Sequence, residues 1–157
     1  MKILPTCHLA IGADHRGFAL KEQLKVTPII SERLITWHDC GADNPERSDY
    51  PVFARRLCKL VLENDAKDMA VAPTHGILLC GSGIGMSMAA NRFRGIHAAL
   101  AWRYDVAQRA REEDWANVLV LPADYLEFDG ALQLVSAWLD AVPKAGCYRE
   151  RIEAIDK

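Results

Sequence analysis

Residues 76–80, Gly-Ile-Leu-Leu-Cys, are an uninterrupted apolar run that leads directly into Gly81, Ser82, Gly83, Ile84 and Gly85. A run with no polar alternation predicts a strand buried on both faces, which requires a sheet covered by helices on both sides. Further apolar runs stand at residues 8–13, 34–38, 96–101 and 117–121. Helical patterns lie between them, at residues 18–25, 51–63, 86–93, 104–112 and 129–139, with a last short one at 148–155. Pro28 ends or kinks the first helix, and Pro51 suits the first turn of the second, where Val52, Leu57, Leu60 and Val61 are apolar. Residues 64–74 read as a connector with some local helix. Five strands alternating with helices predict an α/β fold, a three-layer α/β/α Rossmann-like arrangement around a five-stranded parallel sheet. At 157 residues the chain reads as one domain spanning residues 1–157, with a C-terminal tail from about residue 143.

Composition narrows the function classes. The formal net charge is −2, so no basic surface invites nucleic acid or an anionic membrane. Residues 69–91 carry no Asp, Glu, Lys or Arg, but Pro73, His75 and four glycines fit a buried strand, loop and helix better than a membrane span. The start of the chain is too short and too interrupted, by Pro5, for a signal peptide, and a cytoplasmic protein is expected. Cys7, Cys40, Cys58, Cys80 and Cys147 form no C-x-x-C pair and are odd in number, which argues against a disulfide framework or a zinc site. Cys58 reads as a small buried hydrophobe.

In a parallel sheet of this kind ligands bind beyond the carboxyl ends of the strands. That rule gathers Asp14 and His15, the loop from Gly41 to Tyr50, the turn from Cys80 to Gly85, and Trp102 with Arg103. Glycines let the backbone approach a ligand, and the first N–H groups of a following helix favour an anion. Cys80 at this place is expected to feel the helix field, which lowers a thiol's pKa. The turn is not a full dinucleotide fingerprint and lacks the lysine of a P-loop. A tight structural turn and an anion cradle therefore both remain open. Asp14 and His15 can hydrogen-bond hydroxyls together, or be ordinary surface residues. Tyr50 is either a ligand contact or a partly buried aromatic.

Several segments carry a resemblance. Asp14-His15-Arg16-Gly17-Phe18, Arg47-Ser48-Asp49-Tyr50-Pro51, the stretch from Ile77 to Asn91, Asn117-Val118-Leu119, and the stretch from Arg151 to Ile155 together resemble the ribose-5-phosphate isomerase B family, which is similar to the galactose-6-phosphate isomerase subunits. The match runs nearly the whole chain. The resemblance implies interconversion of an aldose phosphate and its ketose through an enediolate. It makes Cys80 the catalytic base, with the N–H groups of Gly81, Gly83, Ile84 and Gly85 and the Ser82 hydroxyl stabilising the oxyanion. It assigns Asp14, His15 and Tyr50 to the sugar, and it implies no metal and no organic cofactor. It also implies a homodimer or tetramer whose active site is shared between subunits, with a small-molecule sugar phosphate as ligand.

The sequence departs from that family at four places. Glu113 and Asp114 stand where the family has a ring-opening His and a substrate-binding Asn. Glu113 is thus the expected acid–base group and Asp114 a substrate contact, on condition that burial or mutual repulsion raises a carboxyl pKa. Asp124 and Cys147 replace two family arginines, and of the phosphate-binding arginines Arg151 remains. Loss of bidentate arginine contacts weakens phosphate binding. Three readings follow: a ribose-5-phosphate isomerase, an isomerase of another aldose or aldose phosphate, and a non-catalytic sugar-binding relative.

Overall fold

The computed structural model describes residues 6–63 and 74–157. The connector expected over residues 64–74 lies outside the described residues except for Thr74. Strand β1 is Thr6–Ala13, β2 Ile29–Ile30, β3 Arg33–Asp39, β4 Gly76–Cys80, β5 Ala98–Leu100 and β6 Val118–Pro122. Among the described residues the helices are α1 Phe18–Lys25, α2 Tyr50–Glu63, α3 Ile84–Ala90, α4 Tyr104–Glu112, α5 Phe128–Asp140 and α6 Cys147–Ile155, with a 3-10 turn at Ala123–Tyr125.

The strands form one sheet in the order β2-β3-β1-β4-β6-β5. Five of them are parallel, as expected, but the sheet has six strands. The addition is β2, two residues paired antiparallel to β3, Ile29 with Leu34 and Ile30 with Arg33. Ser31 and Glu32 join them at φ 51° and 59°. Positive φ at both central residues gives the twist that a two-residue hairpin needs. Neither residue is a glycine or asparagine, so the usual signal for this turn is missing from the sequence.

Alternation along the central strands builds two apolar layers. Leu9, Ile11, Ala13, Ile77 and Leu79 face α1, α4 and α5, where Leu20, Leu24, Ala107, Leu134, Val135 and Trp138 close the core. Ala10, Leu78, Cys80, Val118 and Val120 face α2 and α3, meeting Phe53, Leu57, Met86 and Ala90. Helix α2 therefore buries Phe53, Ala54, Leu57, Cys58 and Val61, while Val52, read as part of its apolar stripe, is exposed. Helix α3 starts two residues earlier than the pattern suggested, so Gly85 lies inside its first turn.

Topology places the site. From β1 the chain passes through α1 to β3 on one side, then through α2 to β4 on the other. The carboxyl ends of β1 and β4 are thus the point where the strand order reverses, the usual ligand position in open α/β sheets.

Candidate active site

Cys80 is the last residue of β4, paired in register with Pro122 at the end of β6, and it is 5 % exposed. Its sulfur points into the layer under α2 and α3. Burial pushes the Cys80 thiol above its ordinary value, while the backbone N–H groups of Met86 and Gly83 pull the other way. The Asp14 carboxylate adds to the rise and the Arg16 cation opposes it. The expected lowering by the helix start does not occur, because the loss of water around a buried sulfur outweighs the field of a short helix. The neutral thiol is the resting form.

The turn after Cys80 is shaped by its glycines. Gly83 sits at φ 76°, the left-handed region that suits glycine, and a Cβ there would stand 2.4 Å from Leu100 Cδ1. The Ser82 hydroxyl accepts the Ile84 N–H at 3.3 Å. Ser82 and Ile84 also line a cleft of about 380 Å³ with Leu100, Trp102, Pro122 and Tyr125. Tyr50 opens α2, and its ring lies against Gly85.

Asp14 is buried at the end of β1, where its backbone N–H bonds Leu79 O at 3.3 Å. Its carboxylate accepts the N–H groups of Arg16 at 2.9 Å and Gly17 at 3.1 Å, which fixes the turn into α1. The His15 backbone donates to Ser48 Oγ at 3.1 Å, and His15 Nδ1 accepts the Ser48 N–H at 3.2 Å when the proton is on Nε2. Ser48 thereby ties the Gly41–Tyr50 loop to the first strand end. Asp14, His15, Tyr50 and residues 80–85 form one cluster at the carboxyl edge of the sheet.

Glu113, Asp114 and Arg151 are not part of that cluster. Asn117 O accepts the N–H of Gly76, the first residue of β4, so residues 113–117 lie at the amino edge of the sheet. A five-residue strand separates the two edges by about 15 Å. Glu113 faces Lys144 Nζ at 3.2 Å rather than another carboxylate. Asp114 lines a cleft of about 750 Å³ with Arg92, Arg94, Ile152 and Asp156, among others. Arg151 stands over the Tyr148 ring at 5.7 Å, on a helix whose end is anchored by Asp156 to Gly95 N and His97 Nε2. Helix α4 runs back against the strands, and that reversal carries Glu113 away from Cys80.

Two features escaped the strand-end rule. Lys21 is 1 % exposed and donates to Asp39 Oδ2 at 2.6 Å and Ala42 O at 2.8 Å, pinning the base of the Gly41–Tyr50 loop. A lysine in a short amphipathic helix carries no sequence mark of such burial. Arg16 pairs with Asp124 directly above Gly81. Among the described residues no group of three or more His, Cys, Asp or Glu is placed to hold a metal ion, and no helix is long and apolar enough to cross a membrane.

The model of the family described as Ribose/Galactose Isomerase matches residues 9–155. The chain belongs to the ribose/galactose isomerase family. It is an enzyme, an isomerase of the intramolecular oxidoreductase type. Among curated relatives, ribose-5-phosphate isomerase B of Escherichia coli is 35 % identical over 147 residues, covering 94 % of this chain and 93 % of that one. A D-erythrulose-4-phosphate isomerase of Pectobacterium atrosepticum is also 35 % identical, over 148 residues, with 94 % and 91 % covered. The crystal structure of a ribose 5-phosphate isomerase from Thermotoga maritima superposes with a TM-score of 0.85 at 38 % identity, covering 96 % of this chain and 97 % of that one. The family thus keeps its α/β/α scaffold.

Proposed function

We propose that the chain interconverts ribose 5-phosphate and ribulose 5-phosphate through an enediolate, with Cys80 as the base. The thiolate takes the C2 proton of the open-chain aldose, and charge moves onto the C1 oxygen. The thiol then returns that proton to C1, while the O2 proton passes to O1 and C2 becomes the carbonyl. Burial raises the affinity of the sulfur for a proton, which strengthens it as a base in the small thiolate fraction.

Gly83 and Met86 N–H groups serve the sulfur, and the Ile84 N–H serves Ser82. The remaining N–H groups of Gly81, Ser82 and Gly85 and the Ser82 hydroxyl are the donors for the oxyanion, each worth about 3 kcal/mol in such a role. Asp14, His15 and Tyr50 bind the sugar hydroxyls or ring oxygen. Glu113, as acid–base group, and Asp114 and Arg151, as substrate contacts, act from a second copy that presents its amino edge to this carboxyl edge. The active form is then a homodimer or a larger assembly of such pairs, each copy a single domain. All five cysteines are free, which suits a reducing compartment such as the cytoplasm.

The observation that carries this reading is Cys80 at the end of β4, directly before the glycine turn that opens α3, in a chain of the ribose/galactose isomerase family. A second reading, isomerisation of a shorter aldose phosphate, has its own support in the erythrulose-phosphate relative at equal identity. A panel of tetrose, pentose and hexose phosphates with their free sugars decides between them. The highest kcat/KM on ribose 5-phosphate is expected; a tetrose phosphate far ahead would overturn the first reading for the second.

A further inference from the structure

The turn that follows Cys80 is crossed by an ion pair that no other part of the proposed mechanism uses. Arg16 Nη2, from the turn after β1, bonds Asp124 Oδ2, from the 3-10 turn after β6. These turns flank β4 on either side, so the pair spans the turn that carries the catalytic thiol. Asp124 is locked there by its own backbone N–H, which donates to Gly81 O at 3.0 Å. The guanidinium rests on the backbone at Gly81: a Cβ at that residue would stand 2.6 Å from Arg16 Nε and 2.7 Å from Asp124 Oδ2. The Arg16 backbone is fixed in turn by the Asp14 carboxylate.

The side chains of Arg16 and Asp124 remain 58 % and 33 % exposed. Among the described residues, Asp124 is the one side chain that the Arg16 guanidinium bonds. A guanidinium has five N–H donors in a planar fork, so one carboxylate leaves a free edge that matches a phosphate. Arg103, also expected near this edge, is already held by Asp105 through Nε and Nη2 at 3.0 and 3.1 Å.

We propose that Arg16 is a specificity-determining residue that binds the phosphate end of the substrate, and that Asp124 is the internal anion with which the phosphate competes for it. Resting on the sugar-phosphate reading above, the inference adds a named cation and a built-in brake. In the free enzyme Asp124 holds the guanidinium over Gly81. Substrate phosphate takes the free edge of the fork and weakens the Asp124 contact, because two anions on one cation repel each other. Asp124 therefore lowers affinity for phosphate esters while keeping Arg16 aimed at the site.

The test uses ribitol 5-phosphate and ribitol, which lack the carbonyl and cannot isomerise, with binding read by calorimetry on the full chain. Arg16→Gln is expected to weaken ribitol 5-phosphate binding by roughly tenfold or more and to leave ribitol unchanged; Arg16→Lys, without the fork, recovers only part of the loss. Asp124→Asn, which keeps a hydrogen-bond acceptor and removes the charge, is expected to tighten ribitol 5-phosphate several-fold. Unchanged ribitol 5-phosphate binding in Arg16→Gln overturns the inference, and so does weaker binding in Asp124→Asn. Wild-type turnover of ribose 5-phosphate alongside either result leaves the isomerase reading standing. Absence of both turnover and ribitol 5-phosphate binding in the wild type removes both readings together.

Discussion

The ring of Tyr50 lies so close to Gly85 that a Cβ on residue 85 would stand 2.7 Å from Tyr50 Cζ. This contact joins the first residue of α2 to the first turn of α3, and so brings the Gly41–Tyr50 loop onto the turn that follows Cys80. Gly85→Ala is compatible with the helix, and Tyr50, 38 % exposed, can swing outward to make room. Stability is thus expected to change by less than about 1 kcal/mol, while kcat/KM falls by roughly an order of magnitude. Urea unfolding and steady-state kinetics measure the two effects. In the double variant with Tyr50→Ala the losses should not add, because both remove the same contact.

Gly83 poses a different constraint, since its φ of 76° and the Leu100 methyl both oppose a side chain. Gly83→Ala is expected to cost about 2 kcal/mol or more in urea unfolding and to shift the turn that follows Cys80. A variant as stable as the wild type would show that the turn adapts freely.

Lys21 holds the same loop from below. Lys21→Met removes a buried cation and leaves Asp39 and Ala42 O without it. The expected loss is about 3 kcal/mol, read from chemical denaturation. KM should rise as well, since His15 and Tyr50 both depend on the loop that Lys21 anchors.

His75, just before β4, supplies a pH dependence. Burial first, and the nearby Arg111 cation second, depress its pKa from 6.5 to about 4. The folded state therefore prefers neutral His75. Its stabilising contribution is complete above the ordinary histidine pKa and is lost as pH falls from about 6.5 through 4, up to about 3 kcal/mol. Urea midpoints across that window should fall in the wild type and fall less in His75→Asn. Equal slopes in the two proteins would contradict the assignment.

Much of this architecture is written in local patterns. The buried run Gly76–Cys80 coincides with β4, and Asp14, His15, Tyr50 and the glycine turn are brought together at the strand ends as the topological rule requires. The hairpin strand β2 was not legible, because Ser31 and Glu32 adopt a turn conformation that their side chains do not advertise. The position of Glu113 depends on the direction in which α4 returns, and a motif match along the chain contains no such information. The Arg16–Asp124 pair joins residues 108 apart in sequence, so it emerges only when β1 and β6 flank β4. The pKa of Cys80 turns on the balance between burial and the N–H groups that follow it, and the sequence pattern predicts both without saying which is larger.

The most direct measurement is proton NMR of ribose 5-phosphate incubated with enzyme in heavy water. The wild type is predicted to place deuterium at C2 of the aldose as the sugars interconvert, and Cys80→Ala, with an unchanged circular dichroism spectrum, to place none. Exchange by Cys80→Ala at the wild-type rate would contradict the role given to this sulfur.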